Sequence, residues 1–269
     1  MVVLFIKGEI ALKLLRFQSN NRVSFGYIEG TTIFEFGSIE QELPALKFIE
    51  TGKKIDISAI RLLPPCCPSK VVCLGLNYRT HAEEMKLTIP EEPILFIKPS
   101  TAVIGPQDKI LYPPETCRVD YEAELGVVIG KPAYRVSQSE ALEYVLGYTC
   151  ANDVTARDKQ PANGQWTYAK GFNTFCPLGP YIETDIKDPE LLTIKGVLNG
   201  KTVQEASTAD HIFKVAEIIA YVSACMTLLP GDVILTGTPS GIGPLKDGDY
   251  FQVVIEGIGT LINEVSTLK

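Results

Sequence analysis

The sequence predicts an α+β fold that is predominantly β, with a small β-rich N-terminal domain before a larger one. Short apolar, β-branched runs closed by turn residues recur along the chain, which is the pattern of strands. One long stretch, residues 209–226, has instead the apolar spacing of an amphipathic helix. The proline-rich segment at residues 63–70 can neither continue a helix nor pair in a central strand. We therefore expect one domain at residues 1–62 and a second at residues 63–269.

The composition is that of an ordinary globular chain of 269 residues, 45% hydrophobic and 21% charged. A formal net charge of −7, without any run rich in Lys and Arg, argues against a nucleic-acid partner. The longest apolar stretch, residues 215–229, contains Glu217 and is too short for a membrane span, and the N-terminus lacks a signal-peptide pattern. Seven cysteines without a C-x-x-C pair predict neither a disulfide framework nor a zinc site, so we expect a reducing, cytoplasmic setting.

The N-terminal part predicts short strands at residues 2–6, 23–28 and 31–36, joined by turn residues. Residues 44–50 predict a brief helix. Together these elements predict a small β-rich cap on the main domain.

The main domain is predicted to begin with a buried strand at residues 71–74, followed by a helical turn. Thr80 is the expected N-cap of that turn. His81 and Glu84 then fall at positions i and i+3 on one helical face, where the carboxylate can hold the imidazole in one orientation. The pair is either a general base with its orienting acid or a surface ion pair, and the spacing leaves both open.

Three alternating carboxylates, Asp120, Glu122 and Glu124, lead into an apolar run at residues 125–129. The run predicts a buried strand, and alternate side chains of a strand share a face. Because burying an unpaired charge costs several kcal/mol, we expect a cation beside these carboxylates. Oxygen ligands suit a hard divalent ion, Mg²⁺ first, with Mn²⁺ or Ca²⁺ as alternatives. A solvated edge strand that carries charges against aggregation is the competing interpretation.

A second polar group follows a predicted strand at residues 147–152. Asp153 ends that strand, where it could offer a further oxygen ligand, and a helical turn from Asp153 would bring Arg157 and Gln160 onto the same face. A solvated helix face has the same pattern. Lys170 lies between aromatic and small residues, which fits either a partly desolvated lysine or a surface lysine with a buried stem.

The C-terminal part predicts a hairpin, a helix and a glycine-rich loop. An Asn-Gly pair at residues 199–200 predicts the hairpin turn. His211, in the first turn of the predicted helix, is expected to be structural. The loop at residues 237–243 contains Thr238 and exposes backbone donors for an anion. It lacks the lysine and the glycine order of a phosphate-binding loop, which favours a carboxylate as its ligand.

Taken together, these motifs resemble the fumarylacetoacetate hydrolase family in the same order, over about residues 62–265. Five motifs in sequence order make the resemblance specific. They are Gly75-Leu76-Asn77-Tyr78 with His81 and Glu84; Asp120-Tyr121-Glu122-Ala123-Glu124-Leu125; Asn152-Asp153 with Arg157-Asp158 and Gln160; Lys170-Gly171-Phe172 through Pro177-Leu178-Gly179-Pro180; and the stretch 231–243.

The resemblance implies a mixed β-sheet roll, a homodimer, and Mg²⁺ or Mn²⁺ held at the positions of Glu122, Glu124 and Asp153. It implies a catalytic dyad of His81 and Glu84, and substrate contacts at Arg157, Gln160, Lys170 and Thr238, of which Lys170 also counts as catalytic. The chain departs from the family at Asn173, where members commonly have Asp, and at Lys159, where they commonly have an apolar residue. Those departures would affect the surroundings of the ion or the distal group of the substrate.

The activity implied by the resemblance is that of a Mg²⁺-dependent hydrolase that cleaves a C–C bond in acylpyruvate-type substrates through a metal-bound enolate. Isomerisation of the 2-hydroxyhepta-2,4-diene-1,7-dioate type and decarboxylation of a 2-oxo diacid such as oxaloacetate share that site and stay as alternatives. A non-catalytic divalent-cation or small-acid binding protein is a second alternative, but it would not need His81, Glu84 and Lys170 together. The expected partner is a small 2-oxo acid.

Overall fold

The computed structural model describes residues 2–5, 11–42, 45–162 and 164–268. The N-terminal strands are β1 (Val2–Phe5), β2 (Lys13–Ser19), β3 (Arg22–Glu29), β4 (Thr32–Glu42), β5 (Ala45–Asp56) and β6 (Arg61–Leu63). The later strands are β7 (Lys70–Leu74), β8 (Leu95–Pro99), β9 (Val103–Ile104), β10 (Lys109–Tyr112), β11 (Val119–Tyr121), β12 (Ala123–Ile129), β13 (Val145–Asn152), β14 (Thr155–Ala156), β15 (Cys176–Glu183), β16 (Thr193–Leu198), β17 (Lys201–Ser207), β18 (Val233–Leu235), β19 (Gly243–Pro244), β20 (Tyr250–Ile255) and β21 (Gly259–Thr267). The α-helices are α1 (Arg79–Met85), α2 (Thr167–Lys170) and α3 (Val215–Cys225), and short 3₁₀ helices cover Ile57–Ala59, Ser100–Ala102, Ala141–Tyr144, Arg157–Lys159 and Thr208–Asp210. The fold is therefore α+β and predominantly β, as the sequence predicts.

The largest sheet has the strand order β1-β5-β4-β3-β2-β15-β13-β12-β18-β7-β8, with β6 beside β2 and β9 beside β15. The N-terminal strands join it through β2 and β15, where Leu14 pairs with Ile182. Neighbours on this path pair antiparallel except β18 and β7, which run parallel. The N-terminal part therefore extends the sheet of the larger part.

Strand β12 lies inside that sheet, between β13 and β18, and all of its residues are buried. Leu125, Val127 and Ile129 belong to one hydrophobic cluster, whereas Val128 belongs to another. Because alternate side chains point to opposite faces, β12 is covered on both faces, which explains its continuous apolar sequence. The predicted buried strand at residues 125–129 is confirmed as part of β12, which also contains Glu124.

Two smaller sheets complete the fold, in the orders β10-β21-β20-β16-β17 and β14-β11-β19. Strand β16 packs on β12 and β20 packs on β13, which covers the central strands. The predicted hairpin is confirmed, since β16 and β17 pair through a turn at Asn199 and Gly200. Both turn residues have positive φ, 50° and 82°, as a tight hairpin turn requires.

The predicted helix at residues 44–50 is wrong. Residue 44 lies outside the described residues, and Ala45–Asp56 form β5, paired with β4 and β1. Sheet pairing supplies the backbone hydrogen bonds here and overrides local propensity. The other N-terminal predictions correspond to β1, β3 and β4, with residue 6 outside the described residues.

The predicted helix at residues 209–226 is shorter than expected, because α3 begins only at Val215. Asn77 binds the backbone before it: the Asn77 carbonyl accepts from the amide of Ile212 at 2.8 Å, and Asn77 Oδ1 accepts from the amide of Phe213 at 2.7 Å. Those tertiary bonds fix residues 211–213, a bridge residue followed by a bend, in a non-helical conformation. No helix among the described residues combines the length and the hydropathy needed to cross a membrane.

Two local predictions near the site also need correction. Helix α1 starts at Arg79, so its N-cap is Tyr78, not Thr80. The stretch after Asp153 is not one helical turn, because Thr155 and Ala156 pair with β11 before a 3₁₀ helix begins at Arg157. Pairing with the neighbouring strand again decides the local conformation.

Candidate active site

The structure brings together the three predicted metal ligands. Glu124 projects from β12, Glu122 lies in the break between β11 and β12, and Asp153 follows the end of β13. One carboxylate oxygen from each lies within 4.8 Å of the others, and all three residues are buried. The break is fixed by Asn152 Oδ1, which accepts from the amide of Glu122 at 2.9 Å, and by the amide of Asp153, which donates to the carbonyl of Glu122 at 2.9 Å. The three residues are called the carboxylate cluster below.

Cationic side chains surround part of this cluster. Lys170 Nζ donates to Glu122 Oε2 at 2.8 Å and to Asp153 Oδ2 at 2.6 Å. Lys98 Nζ donates to Asp153 Oδ1 at 2.5 Å, and Arg157 donates to Glu122 Oε1. Lys170 and Lys98 are both buried, so Lys170 is not a surface lysine. These bonds satisfy both oxygens of Glu122 and of Asp153.

The surroundings shift the pKa values of the cluster in opposite directions. Burial would raise the pKa of Glu122, but Lys170 and Arg157 outweigh burial and hold it well below its usual range. Burial, reinforced by the charges of Asp153 and Glu122, raises the pKa of Glu124 well above its usual range. Burial would lower the pKa of Lys170, but Asp153 and Glu122 raise it, so the ammonium stays charged. Lys170 therefore carries a positive charge beside these two carboxylates.

The residues present fit a divalent cation. Glu124 Oε2 accepts from the amide of Gly237 at 2.7 Å, but Glu124 Oε1 is buried without a hydrogen-bond partner in the part of the chain that the structure describes. Glu124 also makes no salt bridge among the residues that the structure describes. Orphaned buried carboxylate oxygens are costly, and hard divalent ions take carboxylate oxygens as ligands. Glu122, Glu124 and Asp153 could therefore hold one such ion.

Arg157 and Gln160, predicted substrate contacts, lie at the edge of the cluster. Arg157 Nε donates to Asp120 Oδ2 at 2.8 Å, and Arg157 Nη1 donates to Gln160 Oε1 at 2.5 Å. The third guanidinium nitrogen, Nη2, donates to Glu122 Oε1. Asp120 is fully buried and also accepts from Arg118 at 2.9 Å. Arg157 thus links Asp120 to the cluster, so the first of the three alternating carboxylates is neutralised by arginine.

The glycine-rich loop meets the cluster at Gly237. This residue has a φ of +95°, and a Cβ on it would lie 2.8 Å from Cβ of Asn77, so only glycine fits. The hydroxyl of Thr238 donates to the carbonyl of Ala123 at 3.0 Å and accepts from Gln204 Nε2 at 2.9 Å. In this arrangement the Thr238 side chain attaches the loop to β12.

The His81–Glu84 pair lies at the other end of the same loop. His81 is 7% exposed, and its Nδ1 lies 3.0 Å from Glu84 Oε2. Glu84 Oε1 accepts from the amide of Gly241 at 3.0 Å, which ties the pair to the loop. Gly237 and Gly241 are four residues apart, so their backbones are separated by at most about 14 Å. The described structure shows no direct hydrogen bond from His81 to the cluster.

Aromatic side chains shield one side of Lys170. Lys170 Nζ lies 4.9 Å from the centroid of the Phe96 ring, and Trp166 packs edge-on against Phe96 at 5.3 Å. Trp166 also covers Gly75, where a Cβ would lie 2.4 Å from the indole. Low exposure to water strengthens the electrostatic interactions of the ammonium.

Sequence reasoning missed two residues that hold the site together. Lys98 lies in β8 and directly precedes a proline, and this sequence context gives no sign that its ammonium is buried. Gln204 accepts from the amide of Ala123 at 3.0 Å and donates to Thr238 and to the carbonyl of Pro239. Its position inside the hairpin strand β17 gave no signal of either contact.

The fold and the site define a mixed β-sheet protein whose buried carboxylate cluster could hold a divalent ion. The family model described as fumarylacetoacetate (FAA) hydrolase C-terminal matches residues 70–266, and the model described as Rv2993c-like, N-terminal matches residues 12–65. The chain belongs to the fumarylacetoacetate hydrolase family and is an enzyme of that family.

Named relatives differ in their reactions. Oxaloacetate tautomerase FAHD2A, mitochondrial, from Bos taurus is 41% identical over 266 residues, covering 88% of this chain and 84% of the relative. The structure of 5-carboxymethyl-2-hydroxymuconate delta-isomerase from Mycobacterium smegmatis is 42% identical, with a TM-score of 0.88 and coverage of 95% of this chain and 100% of that one. Maleylpyruvate hydrolase from Sphingobium sp. SYK-6, in complex with manganese (II) ion and pyruvate, is 29% identical, with a TM-score of 0.78 and coverage of 96% and 100%.

Proposed function

We propose that this enzyme is divalent-metal-dependent and moves a proton at the carbon beside the keto group of a short 2-oxo acid, interconverting its keto and enol forms. The observation that carries the proposal is the connection of the carboxylate cluster to the His81–Glu84 pair through one glycine-rich loop. Enolisation needs an electrophile for the developing oxyanion and a base for the C–H proton. The two ends of the loop offer those two functions.

Each group has a role that follows from its contacts. Glu84 holds Nδ1 of His81, which leaves Nε2 to accept the proton from carbon and to return it to oxygen. Lys170 contributes a positive charge beside Glu122 and Asp153. Glu122, Glu124 and Asp153 would hold the divalent ion, which when bound supplies a Lewis acid for the oxyanion. Arg157 and Gln160 lie beside the cluster, where a substrate carboxylate could meet them.

For the ion we propose Mg²⁺, because the cluster offers only carboxylate oxygens. Mn²⁺ accepts similar ligands, and the maleylpyruvate hydrolase structure contains it. The small 2-oxo acid as partner and the homodimer stay predictions that rest on the resemblance.

Hydrolytic C–C cleavage of acylpyruvates is the second candidate. The oriented imidazole of His81 favours it, because the same base can take a proton from water that attacks a distal carbonyl. The name of the oxaloacetate tautomerase relative, with 41% identity, supports the first candidate more strongly than the name of the hydrolase, with 29% identity, supports the second. Isomerisation of a hydroxydienedioate moves the same kind of proton along a longer conjugated chain.

One assay series tests the proposal. Protein stripped with a chelator and reloaded with Mg²⁺ or Mn²⁺ is given enol-oxaloacetate, a 3-acylpyruvate and a hydroxymuconate-type diacid, while absorbance and released pyruvate are followed separately. We expect metal-dependent loss of the oxaloacetate enol without equivalent pyruvate release. Faster cleavage of the acylpyruvate would instead establish the hydrolase. Equal rates with stripped and reloaded protein on every substrate would contradict both candidates.

A further inference from the structure

We infer that Asp210 is a positioning residue, whose carboxylate fixes the helix that carries His81 and Glu84. The inference deepens the proposed function and rests on it, because it concerns the placement of the proposed base. Asp210 lies in the 3₁₀ helix Thr208–Asp210 and is far from α1 in sequence. Its contacts with α1 are specific.

Helix α1 does not cap itself. Its N-cap, Tyr78, makes no side-chain cap hydrogen bond. Asp210 Oδ2 instead accepts from the amide of Thr80 at 3.1 Å and from the hydroxyl of Thr80 at 2.8 Å. A helix of seven residues is marginal by itself, and unsatisfied amides of its first turn need an acceptor. Asp210 supplies that acceptor from another part of the chain.

The segment that carries Asp210 is itself firmly held. Asn77 bonds the backbone of Ile212 and of Phe213, and Asn77 Nδ2 donates to the carbonyl of Phe213 at 3.1 Å. His211 is fully buried and packs edge-on against Tyr78, with ring centroids 4.7 Å apart. Asp210 is therefore a fixed point against which α1 is placed.

The chain just before Asp210 also contacts the carboxylate cluster. Gln204 accepts from the amide of Ala123, the residue between Glu122 and Glu124. Gln204 also donates to Thr238 in the glycine-rich loop. Residues 204–213 thus connect the strand of the cluster, the loop and α1 in one short stretch.

Two anchors then fix the pair from both sides. Glu84 is held through Gly241, and Thr80, which directly precedes His81, is held through Asp210. Without Asp210 the helix can pivot about the Glu84 contact, and the imidazole would move with it. A displacement of about 1 Å of a catalytic group can cost roughly a hundredfold in rate.

The matched variants are Asp210→Ala, Asp210→Asn, Thr80→Val and Ser207→Ala. Asn keeps an acceptor oxygen but removes the charge, so rescue by Asp210→Asn separates positioning from electrostatics. Thr80→Val removes only the hydroxyl donor to Asp210, and it replaces Asp210→Ala as the test variant if Asp210→Ala does not fold. Ser207 caps the same 3₁₀ helix through the amide of Ala209 at 3.2 Å and makes no hydrogen bond to α1 within the described part of the chain, so Ser207→Ala controls for local destabilisation.

Steady-state kinetics on the metal-loaded enzyme give the first readout. We expect Asp210→Ala to lower kcat roughly tenfold to a hundredfold with KM nearly unchanged. Asp210→Asn and Ser207→Ala should stay close to the unaltered enzyme, and Thr80→Val should show a smaller loss in the same direction. Unchanged kcat in Asp210→Ala, or equal losses in Asp210→Asn and Asp210→Ala, would overturn the inference.

Imidazole NMR gives a second readout that needs neither substrate nor metal. The chain has two histidines, so ¹⁵N-histidine labelling yields two ring systems, and loss of one set in His81→Ala assigns His81. We expect the His81 ring resonances to shift or broaden in Asp210→Ala, because the imidazole moves relative to its surroundings while its bond to Glu84 stays within α1, and to return in Asp210→Asn. Unchanged His81 ring resonances in Asp210→Ala would overturn the inference even if the enzyme is active. If no 2-oxo acid is turned over by the unaltered enzyme, the proposed function fails, and these spectra alone decide the role of Asp210.

Discussion

The carboxylate cluster and the His81–Glu84 pair are built in opposite ways. Glu124 belongs to a strand covered on both faces, and its neighbours Glu122 and Asp153 are held by backbone bonds between adjacent strands. His81 and Glu84 belong to a seven-residue helix held in place through Asp210 and Gly241. The central sheet thus fixes the carboxylate cluster, whereas hydrogen bonds from distant residues, Asp210 and Gly241, fix the helix that carries the proposed base.

Because the two parts are held by different elements, we expect that ion binding by the carboxylate cluster and proton transfer by the His81–Glu84 pair can be lost separately. Local stability in proteins varies with packing, and short surface elements open more easily than central strands. Loss of a strand carboxylate should change ion binding, whereas loss of the dyad should change proton transfer and leave the ion in place.

The largest effect is expected from His81→Ala. Removal of a general base lowers turnover by roughly 10²- to 10⁴-fold. Because His81 makes no hydrogen bond to the cluster in the described structure, the affinity for Mg²⁺ or Mn²⁺ should be unchanged by calorimetry. Decarboxylation of oxaloacetate needs only the electron sink, so any such activity should largely survive. A parallel loss of ion affinity and turnover would show that the two parts are not separable.

A smaller effect, on a different quantity, is expected from Glu124→Gln. Loss of one carboxylate ligand should weaken divalent-ion binding, measured by calorimetry, at least as much as loss of an outer-shell partner, which costs about 10- to 100-fold. The unfolding temperature without metal should not fall, because burial raises the pKa of Glu124 and an ionised carboxylate there opposes folding above its unfolded pKa. Glu205→Gln, at a largely exposed carboxylate, is the matched control. Unchanged ion affinity in Glu124→Gln would remove Glu124 from the site.

The sequence predicted the carboxylate cluster better than the long-range contacts that hold the site together. The local spacing of Glu122 and Glu124 predicted that they lie together, although Glu122 lies in a break between β11 and β12 and not in one continuous strand. Asp153 was predicted from its place at a strand end. The contacts of Asp210 with Thr80 join residues 130 positions apart, and spacing along the chain does not encode such contacts. The helix predicted at residues 44–50 failed for the same reason, since pairing with β4 and β1 is a long-range property.

Burial alone does not decide the behaviour of a carboxylate in this sheet, and Asp232 shows the contrast with Glu124. Asp232 lies just before β18, the neighbour of β12, and its side chain is fully buried. It accepts hydrogen bonds from Lys70 Nζ at 2.5 Å, from the hydroxyl of Ser69 at 2.7 Å and from the amide of Leu229 at 2.8 Å. Burial would raise the pKa of Asp232, but these donors outweigh burial and lower it.

The smallest effect is therefore expected from Asp232→Asn, and its sign depends on pH. A carboxyl group with a lowered pKa in the folded state stabilises the fold above its unfolded pKa, about 3.9, and this contribution is lost as the pH falls through the folded pKa. At pH 7 the variant should lose about 1–3 kcal/mol in the free energy of unfolding by urea. The difference from the unaltered protein should shrink as the pH falls below about 4. A pH-independent difference would mean that packing, not the charge of Asp232, is what the substitution removes.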